Sequence, residues 1–160
     1  MLTLLLSSIA VSSLAFAQDA EPPAPVGYVR FAHLSSDAGP IKVFVNEPTA
    51  RISGLRANAF TRWLEVTPGT FEISFGTASS VASALVSDYR LDIGEGDYIT
   101  LPLIGNATDG YSTVAISEDF SPIAEGQARV TVFHAVPAAG DVNLLLNGNA
   151  VAQQLGYPGA

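Results

Sequence analysis

Downstream of residue 27 the apolar residues alternate with polar ones in short runs, and each run is closed by Gly, Pro, Asn or Asp. Successive side chains of a strand point to opposite faces, so this period of two makes half-buried strands; no stretch of the same region carries the 3.6-residue period of a helix. The chain is thereby confined to all-β folds. Seven runs qualify, at residues 28–34, 41–46, 60–66, 70–76, 84–93, 97–104 and 111–117. Phe71, Ile73 and Phe75 share one face while Thr70, Glu72 and Ser74 share the other. Ile41, Val43 and Val45 form a second inward set, and Tyr89, Leu91 and Ile93 a third, with Asp88, Arg90 and Asp92 turned to water. Seven strands at this spacing predict an antiparallel β-sandwich of immunoglobulin-like or transthyretin-like build.

The turns carry their own chemistry. Thr67-Pro68-Gly69-Thr70 predicts a type II turn closing a hairpin between 60–66 and 70–76, because Pro fixes φ and Gly accepts a positive one. Gly94-Glu95-Gly96-Asp97 is expected to do the same for the next pair. Residues 106–110 join 97–104 to 111–117, with the sequon Asn106-Ala107-Thr108 read as part of that turn. Residues 47–58 have mixed polarity around Pro48 and Gly54 and are expected to cross irregularly between sheets.

The N-terminus predicts an address. Residues 1–17 are apolar apart from Ser and Thr and end in Ala15-Phe16-Ala17, the small-x-small pattern of a signal-peptidase site, so cleavage before Gln18 is expected. Residues 18–26 are a Pro-rich acidic linker. The mature chain is then exported, to the periplasm, cell surface or extracellular space.

Sliding the chain by 101 positions aligns residues 29–46 (VRFAHLSSDAGPIKVFVN) with 130–147 (VTVFHAVPAAGDVNLLLN) without a gap. His33 meets His134, Gly39 meets Gly140 and Asn46 meets Asn147, and the apolar alternation is kept throughout. A repeat of this length predicts a first domain at 27–122, a linker at 123–127 and a second, incomplete copy at 128–160. These repeat-equivalent residues are read as structural, with each His packing its ring against loop backbone.

The order of these motifs carries a family resemblance. The pattern running from Arg129 to Gly148, and in the first copy the V-T-P-G-T-F and G-E-G-D-Y segments, resembles the domain of unknown function 4397. The resemblance implies an exported, often tandem, bacterial or archaeal β-sandwich with no established activity, cofactor or catalytic residues. Ser35-Ser36-Asp37 departs from the Ser-Pro-Asp of that pattern, and Val136-Pro137-Ala138 lacks both the Ser and the Asp.

Composition narrows the chemistry. Fifteen acidic residues against seven basic ones give a net charge of -8, which excludes a basic field for nucleic acid. The chain has no Cys and only two His, so thiolate chemistry and Cys-ligated zinc are out of reach. His33, Ser35 and Asp37 contain the residue types of a nucleophilic triad, yet they lie within five positions of one another, where separate backbone origins are needed for convergence. Asp92, Glu95, Asp97 and Asp109 lack the ligand spacing of a calcium loop and read as solvated turns. No metal or cofactor is expected.

Trp63, Tyr98, Tyr111 and Phe44 are candidates for an aromatic ligand platform, Trp63 and Tyr111 foremost. The expected function is a non-catalytic envelope module acting in binding or as a spacer. The alternatives are a carbohydrate or polymer-binding module and, last, an uncharacterised enzyme. Candidate partners are other envelope proteins, extracellular polysaccharide and further copies of the domain.

Overall fold

The computed structural model describes residues 23–159, so the expected signal peptide lies outside the described residues. Two sheets pack face to face. The larger contains β1 (Gly27–His33), β4 (Ala59–Phe60), β5 (Leu64–Val66), β8 (Tyr98–Asn106), β9 (Gly110–Thr113) and β10 (Ile116–Ser117). The smaller has the order β3-β2-β6-β7, formed by Ala50–Leu55, Ile41–Val45, Gly69–Gly76 and Ala84–Ile93. Alternate residues from both sheets meet in one cluster: Val29, Phe31, Leu101 and Leu103 from the larger, Ile41, Val43, Ile73, Phe75 and Leu91 from the smaller. The chain is an all-β sandwich of the immunoglobulin-like kind, as the alternation predicts.

The sandwich has ten strands where the sequence pattern predicts about seven. Three local causes account for the difference. The 60–66 run splits into β4 and β5 because one extra residue is inserted opposite β1: Ala32 pairs with Phe60, but Val29 pairs with Leu64. The 111–117 run splits into β9 and β10 although both keep one register on β8. Continuing that register sets Val114 opposite Pro102, which has no N–H to donate, so the ladder lapses there. On the side away from β8, the Ala115 N–H donates to Tyr89 Oη at 3.2 Å. Third, residues 50–55, expected in an irregular crossover, form β3 and pair antiparallel with β2.

Two expected hairpins are corrected. β5 pairs with β1 and β6 pairs with β2 and β7, so the Thr67-Pro68-Gly69 turn carries the chain from one sheet to the other. Gly69 keeps an ordinary φ and already pairs with Ile93 as the first residue of β6, so the type II turn is not formed. The 94–97 turn is likewise a sheet-to-sheet passage, from β7 to β8. The 106–110 hairpin forms as expected, with Asn106 opposite Gly110 and Asn106 Oδ1 accepting from the Thr108 and Asp109 amides at 2.8 Å. The sandwich also departs from pure antiparallel pairing, because β1 runs parallel to β8 over Tyr28–His33.

Beyond the sandwich, β11 (Val142–Leu146) and β12 (Asn149–Leu155) pair with each other as a separate two-stranded sheet. Asn147 and Gly148 both have positive φ, 52° and 84°, the two-residue turn that matches strand twist in a hairpin.

Candidate functional site

The inner face of the larger sheet fills the core, and its outer face carries the exposed chemistry. In the parallel register Tyr28 lies beside Tyr98 and Arg30 beside Thr100. The Tyr28 and Tyr98 rings stack with centroids 4.3 Å apart and planes 9° off parallel. Trp63, in the bulge between β4 and β5, meets Tyr98 edge-on at 5.3 Å, and Phe120 closes the group at 5.8 Å from Trp63 and 4.5 Å from Tyr98. Mutual repulsion between the paired phenolates raises the Tyr28 hydroxyl above its ordinary range, with burial and Glu65 adding to the effect.

Arg30 is the centre of this face. Its guanidinium carbon lies 4.6 Å from the Trp63 ring centroid and 5.1 Å from that of Phe60. Its Nε donates to Thr100 Oγ1 at 2.8 Å and its Nη2 to Glu118 Oε1 at 2.7 Å, while Thr100 also bonds Glu118. Four partners therefore hold one planar cation in place.

Beside this cluster a groove of about 790 Å³ runs between the sheet and residues 119–133. Arg30, Phe60, Glu118, Phe120, Arg129 and Phe133 are among the residues that line it. Arg129 binds the segment to itself, with Nη1 donating to the Asp119 and Ser121 carbonyls at 2.7 and 3.0 Å and Nη2 lying 3.0 Å from Asp119 Oδ2. Hydrogen bonds from Ser121, helped by Arg129, hold the Asp119 carboxyl below its usual range.

Of the four aromatic residues in the expected platform, Trp63 and Tyr98 come together. Phe44 is buried in the sandwich. Tyr111 packs against the core cluster and donates to Asp37 Oδ1 at 3.0 Å, away from Trp63. Phe120, Phe60 and Arg30 belong to the site although the sequence pattern does not single them out.

The loop after β1 holds the second group. His33 is fully buried, with Nε2 3.2 Å from the Ala38 carbonyl and 3.1 Å from that of Gly39, and its Nδ1 has no partner. Asp37 ties this loop to the β8–β9 hairpin, accepting from the Ala107 amide at 2.9 Å and from Tyr111 and Ser35. The Ala107 amide, seconded by the Tyr111 and Ser35 hydroxyls, holds the Asp37 carboxyl below its ordinary value. Ser35 also accepts from the Ala38 amide, so it and Asp37 are both engaged in closing the loop. The three residue types of the apparent triad do not converge: His33 turns to carbonyls, while Ser35 and Asp37 turn to each other.

His134 repeats the His33 geometry, with Nε2 2.7 Å from the Gly140 carbonyl. Asn46 and Asn147 both take φ 52°. Gly140 has φ 63° and Gly39 an ordinary φ, so the two loops close differently. Where Ser35 braces the first loop, Val136 has no hydroxyl; its amide donates instead to His134 Nδ1 at 3.4 Å.

Among the described residues no group of three or more His, Cys, Asp or Glu is arranged to hold a metal ion. Among the described residues no helix is long and apolar enough to cross a membrane. No curated protein and no solved structure matches the chain. A family model does match, over residues 27–145, taking in the whole sandwich and running on through the first part of the C-terminal segment. The chain belongs to the family described as domain of unknown function, DUF4397.

Proposed function

We propose that the chain is a non-catalytic module of the cell envelope or extracellular space that binds a partner through the outer face of its larger sheet. The immobilised Arg30, gripped by Thr100 and Glu118 and flanked by Phe60 and Trp63, carries this reading. A spacer domain has no need to order a cation among aromatic rings on its surface, because an exposed ion pair contributes little stability. Phe60 and Phe120 leave half or more of their surface in water beside it. A non-catalytic role is supported by the pairing in the groove, where Arg30 faces Glu118 and Arg129 faces Asp119, an arrangement that favours holding over proton transfer.

The spacer reading draws on a different observation. The β2–β3 and β11–β12 hairpins are bulged alike, with positive φ at Gly54 and at Gln154 in the second strand of each. This likeness, with the His33 and His134 geometry, supports reading 128–160 as the opening of a second copy.

Two measurements test the proposal. In cells expressing the full chain, mass spectrometry of the exported product is expected to find Gln18 at its N-terminus, and retention of Met1 overturns export by cleavage. Purified chain is expected to be retained by isolated cell envelopes, and the Phe60→Ala/Phe120→Ala variant to be released from them with its melting temperature unchanged. Equal retention of the two chains overturns the binding face.

A further inference from the structure

We infer that the groove beside Arg30 takes an uncharged polysaccharide, a deepening that rests on the binding reading above. Its composition decides among ligand classes. Arg30 and Arg129 are each matched by a carboxylate, Glu118 and Asp119, so the groove is close to charge-neutral inside a chain of net charge -8. A polyanion meets no free cation there and is repelled at longer range. An apolar ligand would strip water from the Arg30 and Glu118 charges without supplying hydrogen bonds, at a heavy cost. An extended peptide adding a strand needs an unpaired edge, whereas the groove lies over the face of β1 and β8, each paired on both sides.

A neutral sugar fits each feature. Its C–H faces stack on aromatic rings, and Phe60 and Phe120 present theirs at 50% and 58% exposure. Its vicinal hydroxyls need a donor and an acceptor side by side. Arg30 uses Nε and Nη2 for Thr100 and Glu118, and Glu118 accepts through Oε1, so among the described residues Arg30 Nη1 and Glu118 Oε2 are left for a ligand. The volume of about 790 Å³ lies within the roughly 300–1,000 Å³ of small-molecule sites, and the groove is open to solvent, which suits a few residues of a longer polymer.

Affinity electrophoresis of the purified chain tests this, in gels containing the neutral polymers hydroxyethyl cellulose, dextran, galactomannan or soluble β-glucan, and in parallel gels with alginate or hyaluronan. Retardation is expected in at least one neutral polymer. It is expected to vanish in Phe60→Ala/Phe120→Ala and to weaken about tenfold in Glu118→Gln, both with unchanged melting curves. Absence of retardation in every neutral gel, its survival in the double variant, or retardation only by the polyanions overturns the inference. Envelope retention separates the two levels: release of the double variant from envelopes without retardation in any neutral gel refutes the sugar and leaves the binding face standing, whereas equal retention refutes both.

Discussion

His33 and His134 lie 101 positions apart, and each points Nε2 at the carbonyl of the glycine six residues on, at 3.1 Å for Gly39 and 2.7 Å for Gly140. Holding these carbonyls requires the proton on Nε2 in both rings. In His33 the other nitrogen, Nδ1, is then an acceptor sealed in the core without a partner. The ring ties the β1–β2 loop to the end of β1, where the His33 carbonyl accepts from the Asn58 amide at 2.7 Å. His33→Gln is expected to lower stability by roughly 1–3 kcal/mol, since a flexible amide replaces a rigid ring in a buried site. Urea denaturation checks this, and envelope retention of the folded variant is expected to stay at the level of the unchanged chain.

Gly105 sits at the end of β8 with φ 86°, and a Cβ there would come within 2.0 Å of the Gly110 carbonyl oxygen. Both the dihedral and the close approach of two backbones exclude a side chain. Gly105→Ala is expected to cost roughly 2–4 kcal/mol, while Ala at Gly96, also at positive φ but with open space around it, costs less. Thermal melts of the two variants rank them, and equal losses would contradict the steric account.

Acid is expected to loosen the loop that Asp37 ties down. Asp37 is held below its ordinary value of 3.8 by the Ala107 amide first and by the Tyr111 and Ser35 hydroxyls after it. A carboxyl whose folded value is depressed binds fewer protons in the folded chain, so its contribution is present above 3.8 and is lost as pH falls through the folded value. Asp119, depressed by Ser121 and Arg129, works in the same direction. The group is exposed and the effect small. Melting temperature is expected to fall with pH below this range, less steeply in Asp37→Asn, and carboxyl titration by NMR reads the depressed value directly.

Much of the core was legible because burial follows the period of two. Ile41, Val43, Ile73, Phe75, Leu91 and Ile93 are all buried where alternation places them, and Asp88, Arg90 and Asp92 face water. Sheet membership was not. Pro68-Gly69 marks a reversal, but whether the next strand stays in its sheet depends on Gly69 finding Ile93, a partner far along the chain. The candidate site was hidden for the same reason. Arg30 reads as an ordinary outward polar residue until the parallel register brings Thr100 beside it, and Phe120 reads as a loop residue until the chain folds back over Trp63. Trp63 and Tyr98 were found by residue type alone; type could not separate them from Phe44, which the core absorbs, or from Tyr111, which Asp37 claims.

The C-terminal hairpin supplies the last prediction. The core cluster and the residues packed against it end at Ala115, so no side chain of β11 or β12 contributes to it. Leu145, Leu146 and Val151 are 59%, 63% and 55% exposed, while Phe44 and Val45, the repeat partners of Leu145 and Leu146 in β2, are respectively buried and packed against the core cluster. Two strands bury too little to be stable alone, and among the described residues no opposing sheet covers them. A chain ending at Pro122 is therefore expected to melt at the temperature of the full chain or above it and to stay soluble at higher concentration, because the open hairpin edges that invite association are gone. The same truncation removes Arg129 and Phe133 from the groove, so retention by envelopes should weaken even as stability holds. Hydrogen exchange decides the matter within the full chain. Amides at 142–146 are expected to exchange far faster than those at 71–75, and equal protection of the two stretches would mean that the hairpin belongs to the same cooperative unit as the sandwich.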